Sequence, residues 1–371
     1  MRYLFTCGGT AGHINPALSV AEKIKALDSD SEFLFIGAEG QMELELVPLS
    51  GYSIESVKVT NLSRGKTADA ISHNIDTIKN AAVSIIKSKE IIRRFNPDAV
   101  IGTGGYVCFP VITAAHELHI PTFIHESNAV PGLTTKLLSK NVDAVMLGFE
   151  DSIEYYRNSK KVLFTGTPVR EEFSSLTKEE ARKELGIPVG LPLVLSVWGS
   201  LGSGFMNETV RNIVDLVEPG SMKIIHSTGK KYFSDFSGVI NSDKEQITSD
   251  TIVIKDYLYD IPKLMIAADL VLCRAGASTL SELSYLGKPA LIVPSPNVTN
   301  NHQEKNARLL EKNGAAAVLT EDEITPESFV EAVTGLINDR KRLDTMGENM
   351  LKLGNKESAE IIASFILSAV R

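Results

Sequence analysis

A chain of 371 residues suits two domains, since single domains commonly run to about 100–200 residues. Hydrophobic residues at 43% against 23% charged supply a core for each half and exclude a disordered chain. The net charge of −8 excludes a general affinity for nucleic acid, so any anion site has to be built locally.

The N-terminal segment MRYLFTCGGT enters a strand at Tyr3–Cys7 and then a glycine loop, with no secretory pattern ahead of it. Pro16 to Leu27 reads as a helix, with Ala17, Leu18, Ala21, Ile24 and Leu27 on one face and Pro16 suited to the first turn. Asp28-Ser29-Asp30 follows and reads as a solvated turn rather than a metal motif. Further apolar strands are expected at Phe33–Ile36, Ala99–Ile101, Thr122–Ile124 and Ala144–Leu147. Continuous apolar strands separated by helices imply a parallel sheet covered on both faces.

A turn-rich stretch, GTPVR and the residues beside it, marks a boundary near residue 165. The charged helix Lys178–Leu185 and Pro188 come next. A second series then runs Leu193–Val197, Lys223–His226, Ile252–Ile254, Leu270–Cys273 and Ala290–Val293, and Glu327 to Val370 reads as helices. The expected domains are 1–164, 165–340 and a helical tail at 341–371 that can reach back to the first domain. The apolar stretch Ile361 to Val370 is too short to span a bilayer and is broken by Ser364 and Ser368. Cys7, Cys108 and Cys273 are widely spaced beside apolar runs and are expected to be buried thiols in a reducing compartment.

Four strand-to-helix turns carry glycine: Gly8-Gly9-Thr10-Ala11-Gly12-His13, Gly102-Thr-Gly-Gly-Tyr-Val, Gly199-Ser200-Leu201-Gly202-Ser203-Gly204, and Arg274 to Glu282. Glycine lets backbone approach a ligand, and the following helix offers unpaired N–H groups and the positive end of its dipole. None has GxGxxG or GxxxxGK[ST] spacing, so neither a dinucleotide fingerprint nor a P-loop is present. Open α/β sheets bind ligands at the carboxyl ends of their strands, which places the chemistry on these turns.

The segments GGTAGHINPALSVA, LSRGK, GTGGYVCFP, HESNAVPG, GTPVR, GSLG, CRAGASTLSE and NNHQEKNA, in that order, resemble the MurG family of N-acetylglucosaminyltransferases of bacterial peptidoglycan synthesis. The resemblance implies a GT-B fold, two Rossmann-like parallel-sheet domains with an interdomain cleft. It implies inverting transfer of GlcNAc from UDP-GlcNAc to the muramyl 4-hydroxyl of lipid I, the undecaprenyl-pyrophosphoryl-MurNAc-pentapeptide, to give lipid II and UDP. The N-terminal domain would hold lipid I and the C-terminal domain UDP-GlcNAc. The place implied is the cytoplasmic face of the bacterial membrane, with the cell-wall synthesis machinery as a further partner and no nucleic acid.

Carried over by position, Thr10, Ala11 and Gly12 correspond to first-loop contacts near the reacting sugar, and Asn128 to an asparagine facing the donor. Arg170 and Ser200 correspond to nucleotide-binding positions and Leu258 to one flanking the uracil. Ala277, Ser278, Thr279, Leu280, Ser281 and Glu282 form the turn that cradles the diphosphate and ribose, with Glu282 on the ribose hydroxyls. Gln303 would read the GlcNAc hydroxyls. The chain departs from the family pattern at Trp198, at Ser203-Gly204 and at His302.

The chemistry needs a stabilised leaving diphosphate and a deprotonated hydroxyl. Helix N-termini, each carrying roughly half an elementary positive charge, can take the place of a metal, so no cofactor and no metal are expected. His13, whose residue type titrates near neutrality, is the preferred base, with Glu126 the rival. Ile75 to Phe95 carries Ile75, Ile78, Ala82, Ile85 and Ile86 at helical spacing among Lys79, Lys87, Lys89, Arg93 and Arg94, with Arg64 and Lys66 in a nearby loop. Such a segment is either an amphipathic core helix or a contact for anionic phospholipid. Two other functions fit the glycine loops less well: a GT-B transferase for a different glycolipid or natural product, and a sugar-nucleotide sensor that binds without transfer.

Overall fold

The computed structural model describes residues 1–60, 67–199, 202–213, 216–236, 242–243, 246–248, 251–298 and 301–370. The chain forms two compact units, Met1–Arg170 with Asn355–Arg371, and Glu171–Gly354.

The first unit has strands β1 (Arg2–Thr6), β2 (Glu32–Ala38), β3 (Ser53–Val57), β4 (Ala99–Gly102), β5 (Thr122–Glu126), β6 (Ala144–Leu147) and β7 (Val162–Phe164). They pair in the order β3-β2-β1-β4-β5-β6-β7, all parallel, with Phe5 beside Phe35 on one side and Ile101 on the other. The helices are α1 (Ala11–Leu27), α2 (Glu43–Leu49), α3 (Ala68–Phe95), α4 (Cys108–Glu117), α5 (Leu133–Leu138) and, from the end of the chain, α13 (Ser358–Val370). Because strand side chains alternate, Tyr3 and Phe5 pack with Ile14, Ala17, Ala21 and Ile24 of α1 and Ile362 and Ile366 of α13. Leu4 and Val100 pack on the opposite face, with Ile91 and Ile92 of α3 and Val111, Ile112 and Ala115 of α4. Burial on both faces is why these strands read as unbroken apolar runs.

The second unit has α6 (Lys178–Glu184), β8 (Leu193–Val197), α7 (Gly204–Ile213), β9 (Lys223–Ser227), β10 (Ser242–Asp243), β11 (Gln246–Thr248), β12 (Ile252–Lys255), α8 (Ile261–Ala267), β13 (Leu270–Cys273), α9 (Ala277–Leu286), β14 (Ala290–Ile292), α10 (His302–Lys312), β15 (Ala316–Val318), α11 (Pro326–Asn338) and α12 (Arg340–Leu353). Its sheet runs β10-β11-β12-β9-β8-β13-β14-β15. The strands from β12 to β15 in that order are parallel, while β10 and β11 add an antiparallel edge.

Strand order reverses between β1 and β4 in the first unit and between β8 and β13 in the second. At such a switch point the two connections leave in opposite directions and open a crevice at the carboxyl ends of the strands. All four glycine turns follow these switch-point strands.

Several expectations change. The first helix starts at Ala11, five residues before Pro16, which lies inside it. Pro16 has no N–H to give Gly12, so the helix loses one rung near its start. Strands β3, β7, β10, β11 and β15 were missed: β3 is mostly half-buried, and the other four are only two or three residues long. The first unit runs to Arg170, beyond the expected boundary near 165, so Arg170 belongs to it. Of the tail 341–371, α12 stays in the second unit, where Leu343 and Met346 join its core, and only α13 returns to the first. The return is held by Lys23–Glu360 at 2.8 Å and an edge-on contact of Phe365 with Phe123.

Cys7, Cys108 and Cys273 are buried free thiols, as expected. Burial pushes Cys7 up and raises Cys108 and Cys273 to about 12. Asp28, Ser29 and Asp30 form a turn after α1, with Ser31 Oγ donating to Asp28 at 2.8 Å.

Candidate active site

At the first switch point, the loops after β1 and β4 touch. Gly8 N donates to Gly104 O at 3.2 Å, and Thr103 Oγ1 donates to the His13 carbonyl at 2.6 Å. Gly104 and Gly105 adopt φ of 121° and 90°. A Cβ on Gly104 would strike the His13 ring, and one on Gly105 would strike the Gly8 carbonyl. Glycine is required at both positions by backbone angle and by space.

His13 is half-buried, with Nδ1 2.9 Å from Gly8 O and 3.4 Å from Thr10 Oγ1. A carbonyl only accepts, so the ring proton sits on Nδ1 and Nε2 presents its lone pair. Thr10 and Ala11 are exposed and Gly12 half-buried at the start of α1, whose first turn has no acidic residue. Its first N–H groups therefore meet no carboxylate from the helix's own first turn.

Glu126 is buried at the end of β5. Its Oε1 accepts from Asn128 N at 3.0 Å and Asn128 Nδ2 at 2.9 Å, and its Oε2 from Gly132 N at 2.9 Å. The carboxylate thus organises the loop from 127 to 132, and the Asn128 amide is one of the groups that it holds. His125 beside it is kept neutral by burial, with Nε2–H donating to Gly166 O at 2.9 Å.

In the second unit, α9 begins at Gly276 with no side-chain cap and no acidic residue in its first turn. Ala277, Ser278 and Thr279 are half-buried there, and their N–H groups belong to the first turn, which has no intrahelical acceptors. Ser281 Oγ is spent on Ala277 O at 2.8 Å, and Ser278 Oγ reaches Glu282 Oε1 at 3.4 Å. Leu280 and Leu258 have buried side chains, so what they offer a ligand is backbone. Gln303 Oε1 accepts from Ser295 N at 2.9 Å, which anchors the amide and orients its NH2 donors. Ser200, with Leu201, lies outside the described residues, as does the LSRGK segment.

Three residues have roles that the sequence reading did not give. Glu43, fully buried at the start of α2, accepts Gly9 N–H at 3.0 Å and Ala38 N–H at 2.8 Å. Arg274, a lone cation at the end of an apolar strand, donates to Ser203 Oγ at 2.7 Å, to the Val293 and Pro294 carbonyls at 3.0 and 3.2 Å, and to Glu321 at 2.5 Å. It clasps the loops at the carboxyl end of the second sheet, and its place after LVLC is the one local signal that could have marked it. Trp198, one of the departures, lies under the Arg274 guanidinium, 5.8 Å from ring centroid to Cζ, and donates to Ser196 Oγ at 2.8 Å. Behind it, Ser196 Oγ meets His226 Nδ1 at 2.9 Å, and burial drives His226 down to about 3. A neutral imidazole there links Ser196 to Asn207 Oδ1, 3.2 Å from His226 Nε2, in a buried polar chain.

Residues 3–147 match the glycosyltransferase family 28 N-terminal domain and residues 193–363 its C-terminal domain. The UDP-N-acetylglucosamine--N-acetylmuramyl-(pentapeptide) pyrophosphoryl-undecaprenol N-acetylglucosamine transferase of Acetivibrio thermocellus is 41% identical over 99% of this chain and 97% of its own. The enzyme of the same name from Listeria welshimeri is 38% identical over 100% of both chains. The crystal structure of Acinetobacter baumannii MurG superposes with a TM-score of 0.77 at 27% identity, covering 99% of each chain. The chain belongs to glycosyltransferase family 28, among the UDP-N-acetylglucosamine--N-acetylmuramyl-(pentapeptide) pyrophosphoryl-undecaprenol N-acetylglucosamine transferases.

Proposed function

We propose that this chain transfers GlcNAc from UDP-GlcNAc to the muramyl 4-hydroxyl of lipid I with inversion, releasing UDP, and that His13 is the general base. The observation that carries the reading is the His13 ring, its proton held on Nδ1 by Gly8 O at 2.9 Å and its Nε2 left as an acceptor at the switch point of the first sheet. Nε2 takes the hydroxyl proton as the oxygen attacks the anomeric carbon and the sugar–phosphate bond breaks with its electron pair going to UDP. Glu126 is the weaker candidate, since both of its oxygens are occupied by the loop from 127 to 132.

The second unit takes the donor in this reading. The uncapped N-terminus of α9 faces the diphosphate with N–H groups and dipole, Glu282 accepts from the ribose hydroxyls, and Gln303 donates to the sugar. Arg170 and Asn128, which the resemblance assigns to the donor, belong to the first unit. Charge on the leaving group is met by backbone rather than by a metal. Turnover of UDP-GlcNAc with a short-chain lipid I analogue, read as UDP release, is therefore expected at an unchanged rate in EDTA. Loss of turnover on chelation would remove the metal-free mechanism. Binding without transfer would favour a sensor, and transfer to diacylglycerol alone would favour the rival glycolipid enzyme.

The acceptor also calls for a lipid-facing surface, and α3 supplies one. Its inward face carries Thr77, Ser84 and Ser88 before Ile91 and Ile92 at the C-terminal end, while Ile78, Val83 and Ile86 are 65%, 63% and 61% exposed. Lys79, Lys87 and Arg93 are exposed among them. An outer face of this kind, apolar and basic together, fits the headgroup region of an anionic membrane better than water. Among the described residues no helix is long and apolar enough to cross a membrane, so the attachment proposed is peripheral, on the cytoplasmic face. Changing Ile78 and Ile86 together to Asp is expected to abolish co-sedimentation with phosphatidylglycerol vesicles while the thermal melt is kept. Retained co-sedimentation would move the membrane contact elsewhere.

A further inference from the structure

Gly8 C=O, which accepts from His13 Nδ1 at 2.9 Å, and Gly9 N–H, which donates to Glu43 Oε2 at 3.0 Å, are the two ends of one peptide group. Conjugation through the planar C–N bond links them. A negative charge at the N–H end draws that proton and places more electron density on the carbonyl oxygen, and hydrogen bonds in series polarise one another in a dry interior. Glu43 is fully buried, and its other oxygen takes Ala38 N–H at 2.8 Å. Each oxygen thus faces an N–H donor, an arrangement that a carboxylate satisfies and an amide does not. A Cβ on Gly8 would run into Glu43 Oε1 and one on Gly37 into its Cγ, so two glycines make the room that the side chain occupies.

We propose that Glu43 is a positioning residue that acts on His13 through the Gly8–Gly9 peptide, fixing the ring tautomer and strengthening Nε2 as a base. The inference rests on the reading of His13 as the base. During transfer Nε2 gains the acceptor proton and Nδ1 keeps its own, while the charge on the ring is answered across the peptide by Glu43. Cys7 and Cys108 interact electrostatically with Glu43, His125 interacts with His13 and with Glu126, and Tyr106 follows Gly105 in the facing loop. Burial holds both thiols protonated and His125 neutral, and Glu126 is spent on its own loop. Glu43 is the carboxylate hydrogen-bonded to the peptide that the imidazole touches.

The test is the pH profile of kcat on the full chain, with UDP-GlcNAc and a short-chain acceptor, for wild type, Glu43→Gln and His13→Gln. Glu43→Gln is expected to lower the plateau by about 10–100-fold, the scale on which groups that orient and tune a reacting imidazole act. Its acid limb should move to lower pH, with KM for UDP-GlcNAc unchanged. A lower melting temperature with the wild-type acid limb and plateau would mean a merely structural glutamate and would overturn the proposal. Full activity in His13→Gln would instead overturn the base assignment beneath it. Nitrogen-15 spectra of labelled histidines give an independent reading. Wild-type His13 is expected as the Nδ1–H tautomer when neutral, and Glu43→Gln as a mixture. Should Glu43→Gln fail to fold, the wild-type tautomer decides: Nδ1–H supports the relay and Nε2–H overturns it.

Discussion

Replacing His13 by Gln is expected to lower kcat by about 10²–10⁴-fold, the span attributed to a general acid or base, while the affinity for UDP-GlcNAc measured by calorimetry stays within about twofold of wild type. Glutamine is close in length to histidine and can still reach the Gly8 carbonyl, but its amide cannot take a proton near neutrality. The loss corresponds to roughly 3–5 kcal/mol of transition-state stabilisation. The donor-binding groups proposed above are mostly in the second unit, so a base in the first can be removed with little change in donor affinity. Equal losses in donor affinity and turnover would make His13 a binding residue. An undiminished kcat would return attention to Glu126, whose oxygens would first have to be released from Asn128 and Gly132.

Asp269→Asn is expected to destabilise the protein by about 3–5 kcal/mol, the cost of breaking a buried ion pair by removing one partner. Asp269 has 7% side-chain exposure. Its Oδ1 meets Lys178 at 2.5 Å and Arg340 at 3.3 Å, and its Oδ2 meets Arg182 at 3.0 Å and Leu193 N–H at 2.8 Å. Burial alone would raise this carboxyl, but the bonds from Lys178 and Leu193 and the charges of Lys178 and Arg182 outweigh it and hold it below its ordinary value. A folded-state value below the unfolded one contributes stability that is fully present above about pH 4 and is lost as pH falls through the folded value. Denaturant melts should therefore separate wild type from Asp269→Asn most widely at neutral pH and bring them together in strong acid. Asp269 precedes β13, at the end of the sheet away from the glycine turns, so turnover per folded molecule should be kept. A separation that does not depend on pH would show that packing, not charge, is what Asp269 supplies.

Strands buried on both faces were legible in the sequence because each leaves a continuous apolar run: Ala144–Leu147, Leu193–Val197 and Leu270–Cys273 have the predicted bounds. The glycine turns were legible for a related reason, since close approach of backbone at a switch point excludes a Cβ and leaves a composition that can be read locally. Family membership followed from the order of those turns. The half-buried β3 and β7, and the division of the tail between α12 and α13, were not legible because which core a helix joins depends on surfaces that assemble only in the folded chain.

The same division runs through the site. Residue chemistry beside the glycine loops named His13 and Glu126 as candidates, and the family resemblance added Glu282 and Gln303. Only the tertiary structure set Glu126 to holding its own loop, left Ile78, Val83 and Ile86 of α3 exposed, and joined Gly9 to Glu43 across 34 residues of chain. Local propensity and periodicity act over a few residues. Hydrogen-bond partners of buried polar groups are chosen by whichever elements the topology brings together.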